Sequence, residues 1–562
     1  MRLFSCASTA PIELSTSRGS FRHCQPIPVS INRRSAMNIY DFVNPMDFRY
    51  YGADPGFFQR LLPYVSEGAF FEYQRRVECA LIMALRELAW CSPKHADEIL
   101  SAFNSVTVSE VYEEEKRTGH IVRALVNCVA RKVSAEAGNY VHLFLTSNDT
   151  TDTATGLRFQ ELLRDVVLPD LLDLLATLIR LAQQHADTSQ IGRTHGQHAV
   201  PITFGFAIAL YVDRLGGRIE MLETSRQNLR GKIAGAVGAY NALSLQLPRA
   251  AVLFEKLVLS YLGMQPAPGS IASQIVQPEF VTDMGYAIQS CFSVLANLAD
   301  DIRHLCRSEI AEVQEEQSAE TVGSSTMPHK VNPKNFENIK SLWKAYMPRM
   351  TTLFMDQVSE HQRDLTNSAS QRFLPELLTA FDYCIVRLNR AMTSLRVNQQ
   401  AMSRNLNANK EQIIAEPLYV LLALQGCPDA YERVRKLARE GREQGKSIME
   451  LARQDRQLQV HISKMRPEQL HVLDDPARYT GQSSPRTVAV CEHWQREAER
   501  LRTYLAQEKA AARNVKPDRL RRFRHLCDQL RKIEQGEALP KAFCPAEDRQ
   551  RVIEEWIEAR DD

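Results

Sequence analysis

Apolar residues recur at three- and four-residue intervals through long stretches of this chain, over Leu162 to His185, Thr203 to Leu229, Pro278 to Glu316, Asn335 to Met355 and Arg372 to Leu395. That spacing lays one apolar stripe along a helix. The run FVTDMGYAIQSCFSVLANLADDIRHLCRSEI, residues 280–310, carries apolar residues on one side and charges on the other. Few segments alternate with the period of a strand. The pattern predicts an all-α chain whose long helices pack as a bundle, and their number points to a core shared among subunits. The longest apolar stretch, AVPITFGFAIALYV from Ala199, falls short of the roughly 20 residues a bilayer helix needs and contains a proline; it predicts a buried helix.

With 562 residues the chain exceeds one ordinary core, so two or three domains are expected. Lys+Arg (69) and Asp+Glu (67) nearly cancel, which argues against a dedicated nucleic-acid or membrane-surface protein. Any basic site must be local. The 12 cysteines are scattered without a CxxC pair and fall inside apolar helical patterns, as at Cys79, Cys291 and Cys384, which fits reduced core thiols. No HExxH spacing occurs, and no cysteine or carboxylate cluster follows His195 and His198; neither a metal nor a cofactor is expected. Residues 1–36 are rich in Ser and Arg, nearly free of acids, and followed by Met37. An organelle transit segment fits that composition, and so does a disordered extension or an upstream start, which is the expectation adopted together with a cytoplasmic location.

Chemistry concentrates between Gly323 and Pro333, GSSTMPHKVNP, where two adjacent hydroxyls, a glycine hinge, a lysine and an asparagine share an irregular segment. Gly323 supplies backbone freedom and Pro328 and Pro333 stiffen the far side, while Lys330 and Asn332 can grip a carboxylate by charge and amide hydrogen bonds. This loop closely resembles the signature loop of the fumarase/aspartase superfamily, whose members eliminate fumarate from succinyl-type substrates. Three further segments match in the expected order: TSNDTTDT (Thr146 to Thr153), GRTHGQHAVPITFG (Gly192 to Gly205) and QRDLTNSASQR (Gln362 to Arg372). The last resembles a nucleotide-phosphate segment of adenylosuccinate lyases and is not general to the superfamily. DDPARYTGQSSPRTV (Asp474 to Val488) is similar to the C-terminal end of the same branch. The resemblance runs from about Asn38 to about Leu501.

The resemblance implies an all-α, fumarase/aspartase-like fold in which a long central helical bundle tetramerises, flanked by smaller helical domains, with each active site assembled from three subunits. The expected divisions are an extension over 1–36, an N-terminal helical domain over 37–159, a central bundle over 160–425 carrying loop 323–333, a C-terminal helical domain over 426–501 and a charged helical extension over 502–562. Elimination of an amine from a succinyl group needs a base for a weakly acidic proton and an acid for a poor leaving group. By resemblance Ser324 is the base, His195 the acid and Glu337 the carboxylate that orients it. Lys330, Asn332, Thr146 and Ser147 match groups that stabilise the doubly charged aci-carboxylate. Arg49, Tyr50, Ser368 and Arg372 match the phosphate site, and Arg363 and Gln274 the succinyl contacts; Thr194 and His120 complete the substrate-binding set.

One departure stands out. Adenylosuccinate lyases usually carry His-Asp-Val after an acidic lead, whereas EEEKRTGHIV retains His120 and places Ile121 where aspartate is expected. The implied activity is release of fumarate from adenylosuccinate, giving AMP, and from SAICAR, the succinylated aminoimidazole carboxamide ribotide, giving AICAR. The alternatives are a paralogous lyase acting on another N-succinyl compound and a non-catalytic structural relative. The expected partners are a small succinylated purine compound and further copies of the chain, with no nucleic acid and no membrane.

Overall fold

The computed structural model describes residues 44, 46–50, 52, 54–248, 250–316, 320, 325–358 and 361–513. Helices dominate them, and three apolar cores organise the packing.

The main core belongs to a bundle of helices: α4 (Leu168–Gln184), α5 (Phe204–Gln227), α6 (Glu279–Leu305), α7 (Lys334–Tyr346) and α8 (Leu374–Thr393), numbered after three N-terminal helices, α1 (Glu67–Glu87), α2 (Ile121–Ala130) and α3 (Ser147–Leu162). Polar pairs along the seams give the directions. Arg214 Nη1 donates to Asn297 Oδ1 at 2.7 Å and Arg218 Nη1 to Ser290 Oγ at 3.1 Å, so α5 runs antiparallel to α6. Lys340 Nζ reaches Asp300 at 3.0 Å and Gln289 Nε2 donates to the Tyr346 carbonyl at 2.7 Å, so α7 also opposes α6. The 27 residues of α6 span about 40 Å at 1.5 Å each, which sets the length of the bundle.

The second core joins α1 to α3, and it also takes in residues from Ile233 to Met264, including helix Ala251–Tyr261, which returns from the middle of the chain. Phe254 stacks on Trp90 with centroids 5.7 Å apart. The boundary expected near Phe159 is therefore not a clean cut, because apolar residues of that excursion find their burial in the N-terminal domain. A third core spans Ile414 to Leu473. The next long helix, α9 (Ser483–Arg513), runs unbroken through the edge expected at Leu501 and buries Cys491, Trp494 and Leu505 in the main core.

The apolar stretch from Ala199 also differs from its expectation. Its first five residues lie in strand β2 (Gln197–Thr203), paired antiparallel with β1 (Ser189–Thr194), and only then does α5 begin, capped by Thr203 Oγ1 accepting from Phe206 N at 3.1 Å. No helix among the described residues is long and apolar enough to cross a membrane.

Candidate active site

His195 sits at the tip of that hairpin. Thr194 pairs with Gln197, leaving His195 (φ 54°) and Gly196 (φ 72°) as the two central residues, both left-handed as a type I′ hairpin turn requires. Residues 194–197 are exposed, so Thr194 and His195 are presented outward on a stiff stalk. Glu312, fully buried, holds the base of the stalk. It accepts from Arg193 Nη2 at 2.6 Å, Gln190 Nε2 at 2.7 Å and Asn405 Nδ2 at 2.9 Å.

The signature loop leaves from the same end. Glu315 accepts from the backbone N–H (3.0 Å) and Nδ2 (2.7 Å) of Asn335, tying the start of the loop to its finish. Between them, residues 325–331, Lys330 among them, are exposed, and Asn332 is half-buried. Glu337 is exposed in the first turn of α7. Ser324 lies outside the described residues. His195, Thr194, Lys330, Asn332 and Glu337 thus share the end of the bundle where α6 finishes.

The other candidates gather at the end where α6 begins. Thr146 is the N-cap of α3 and Ser147 its first residue; Ser147 Oγ lies 3.0 Å from His120 Nε2, and His120 itself caps α2. Beneath them Asp149 is fully buried, accepting from Thr146 N (2.8 Å), Ala234 N (3.0 Å), Gly235 N (3.1 Å) and the Lys232 ammonium (2.5 Å). Such a saturated carboxylate fixes the helix start against the 232–235 loop. One turn on, Asp152 accepts from Val276 N at 3.0 Å, holding the segment that carries Gln274. Desolvation pushes Asp152 up to about 6, against the opposing pull of that N–H and of Lys232 and Arg363. Arg363 buries its Nη1 without a hydrogen-bond partner among the described residues, in a cleft shared with Asp152, Asn367, Ser370 and Gln371. Ser368 opens a short helix, Ser368–Arg372, whose last residue is exposed. Arg49 is exposed in the turn Met46–Tyr50, and Tyr50 packs edge-on against Tyr383 at 5.4 Å.

Two residues at this end carry no expectation from sequence. His142 Nδ1 lies 2.7 Å from Glu78 Oε1, and Thr150 Oγ1 donates to the same oxygen at 2.7 Å. Burial alone would lower the His142 pKa, but Glu78 outweighs it and raises the value. Lys232 is the other, and its signal is only long-range. Asp149 is legible as the carboxylate three residues after an N-cap threonine.

The candidate residues of one chain therefore fall into two groups at opposite ends of α6, a helix about 40 Å long. Between them, exposed Phe206 and Leu210 on α5 and Tyr286 on α6 leave apolar surface on the bundle.

The chain matches the family model described as "Lyase" over residues 79–344 and the one described as "Adenylosuccinate lyase C-terminal" over residues 359–480. It is 34% identical over 457 residues to the adenylosuccinate lyase of Pyrococcus horikoshii, covering 80% of this chain and 98% of the relative. It is 35% identical over 413 residues to that of Pyrococcus abyssi, covering 72% and 89%. Among solved structures it is similar to the 3-carboxy-cis,cis-muconate lactonizing enzyme of Pseudomonas putida (TM-score 0.68, 23% identity, 81% of this chain and 99% of that one). The fumarate lyase of Mesorhizobium sp. BNC1 has the same TM-score at 21% identity, covering 77% and 97%. The two structures speak for the fold.

Proposed function

The chain belongs to the adenylosuccinate lyase family, and from that premise we propose that it eliminates fumarate from adenylosuccinate, leaving AMP, and from SAICAR, leaving AICAR. The observation that carries this reading is the adenylosuccinate lyase C-terminal match over 359–480, because it encloses Ser368 and Arg372, residues suited to a nucleotide phosphate.

In this reading Ser324, enclosed when the loop closes, takes the proton next to the succinyl carboxylate. Lys330, Asn332, Thr146 and Ser147 hold the aci-carboxylate that results. As the C–N bond breaks, His195 gives its proton to the departing nitrogen, and Glu337 orients the imidazole. Arg49, Tyr50, Ser368 and Arg372 bind phosphate; Gln274 and Arg363 bind the succinyl part; Thr194 and His120 line the pocket. Since one chain keeps these groups at opposite ends of α6, a helix about 40 Å long, the working form is a homotetramer in which each site draws on several subunits. The exposed apolar positions of α5 and α6 support that association. Eight unpaired cysteines among the described residues suit the reducing cytoplasm.

Ile121 favours one alternative, a paralogous lyase releasing fumarate from another N-succinyl compound. It packs its hydrocarbon against the N-terminal core beside His120, where a carboxylate would meet the base. Incubating the purified protein with adenylosuccinate and following ultraviolet absorbance decides between them. Efficient turnover to AMP and fumarate supports the proposal, and no turnover with a folded tetramer overturns it.

A further inference from the structure

The C-terminal helix α9 lies beyond the stretch that matches the family model, which ends at residue 480, yet it is seated on the bundle with care. Cys491, Trp494, Ala498, Leu501, Leu505 and Glu508 succeed one another at three- and four-residue steps and form its inner face. Trp494 lies on Gly216 of α5, where a Cβ would come within 2.3 Å of the indole, and its Nε1 donates to Asp213 at 2.9 Å. That stripe delivers Glu508 to a single destination.

Glu508 meets Arg226, the next-to-last residue of α5, whose side chain is entirely buried. The guanidinium donates to Glu508 from Nη1 (2.9 Å) and Nη2 (2.6 Å), and to Glu223 from Nε and Nη2 (2.7 Å each). Glu508 also lies 3.9 Å from Arg164, in the turn that continues α3. A buried guanidinium held by two carboxylates has one arrangement, and removing Glu508 leaves Nη1 without its acceptor and the group held by Glu223 alone.

The loop that holds Asp149 begins two residues after Arg226. Leu229 N donates to the Arg226 carbonyl at 3.2 Å, Lys232 N to Thr153 Oγ1 at 2.9 Å, and Lys232, Ala234 and Gly235 converge on Asp149, whose carboxylate also receives the N–H of Thr146. We infer that Glu508 is a positioning residue: through Arg226 and the 229–235 loop it sets the first turn of α3, and so the placement of Thr146 and Ser147 against the substrate. The substrate half of this inference rests on the function proposed above.

The test compares the full-length chain with Glu508→Ala, Glu508→Gln and Glu508→Asp, and with Arg502→Ala as a control that removes another ion pair of α9, Arg502 to Asp173. Positioning predicts that kcat for adenylosuccinate falls roughly tenfold in Glu508→Ala with KM within about twofold, because Thr146 and Ser147 act on the aci-carboxylate. The Asp variant recovers most of the loss, and Arg502→Ala shows neither change. A second readout needs no substrate: amide hydrogen exchange at Ala234 and Gly235 should quicken at least tenfold in Glu508→Ala and Glu508→Gln. The isosteric Gln variant covers the case in which Ala fails to fold. Unchanged exchange at those amides overturns the inference, as does unchanged kcat alongside a lowered Tm. A wild-type protein inert toward adenylosuccinate but showing the exchange effect would instead count against the proposed substrate.

Discussion

Arg193 clasps Glu312, Nη2 to Oε1 at 2.6 Å and Nη1 to Oε2 at 3.3 Å, so the strand leading to His195 is fastened to the chain just before the signature loop. The hairpin that carries His195 and the segment leading into the signature loop are therefore tied together. Glu312 is fully buried and Arg193 supplies its only cationic partner among the described residues, while Gln190 and Asn405 add neutral donors.

Replacing Arg193 by Ala strands that buried carboxylate, and the expected loss is about 3–5 kcal/mol of unfolding free energy. Arg193→Lys keeps the charge but loses the fork and should cost less. Denaturant midpoints measure both, and a wild-type midpoint in Arg193→Ala contradicts the assignment. Turnover of the folded fraction should fall as well, because the hairpin that presents His195 loses its anchor.

The separation of the two groups of candidate residues makes a second expectation. His195→Ala should lower turnover by about 100- to 10,000-fold, the usual contribution of a general acid, and Ser324→Ala similarly for the base, with the tetramer intact. His195→Ala and Ser147→Ala affect opposite ends of α6, so in the shared sites proposed above their damage would fall on different subunits' contributions. Mixing the two under exchange conditions should leave about a quarter of sites with both segments intact and restore activity accordingly. No recovery, with subunit exchange confirmed by native mass spectrometry, counts against shared sites.

The range of each interaction governs how much of this is readable from the sequence. The bundle helices announce themselves through a local period, and α6 lies inside the segment that shows it most clearly. The hairpin does not, because in AVPITF every residue but one is apolar and strand and buried helix look alike over so short a run. His195 and Gly196 are conspicuous as chemistry but carry no local sign that they turn a hairpin. Lys232 is beyond reach, since its meaning lies in Asp149, 83 positions earlier in the chain. The stripe of α9 is present but hidden among charges, so past Leu501 a docked helix reads as a charged extension.

Asp152 gives the pH dependence a sign. Unfolded, an aspartate titrates near about 4; in the fold, desolvation pushes Asp152 up to about 6. The folded state thus holds this proton more tightly, so the group favours folding below about pH 4, and that contribution is lost as pH rises through about 6. Its size is of order 1–3 kcal/mol. Asp152→Asn removes it, so the stability of the variant relative to wild type should climb between pH 4 and 7 when urea midpoints are compared. A difference that stays flat across that range refutes the expectation.

Arg372 is exposed in the free chain, at the last position of the short helix Ser368–Arg372. If the phosphate closes on it, Arg372→Ala should weaken AMP binding by about 2–5 kcal/mol in calorimetric titration. Unchanged affinity favours a substrate without phosphate.

Ile121 decides the remaining choice. It is the first residue of α2, half-buried against the N-terminal core, and its neighbour His120 reaches Ser147. An aspartate there would forgo some apolar burial, about 1 kcal/mol, and recover part of it from the helix N-terminus. The fold should therefore tolerate Ile121→Asp with a small fall in Tm, which leaves activity as the informative reading. In a lyase that uses adenylosuccinate, the carboxylate is dispensable or supplied from elsewhere, and the variant should keep kcat/KM roughly unchanged or raise it. In a paralogue the wild type should be feeble on adenylosuccinate, because a buried polar group of the purine goes unpaired at a cost of roughly 1–3 kcal/mol. Measuring kcat/KM in both proteins separates the cases, and a wild-type value typical of efficient enzymes excludes the paralogue. The family match over 359–480 favours the first outcome, since Ser368 and Arg372, which it encloses, suit a nucleotide phosphate.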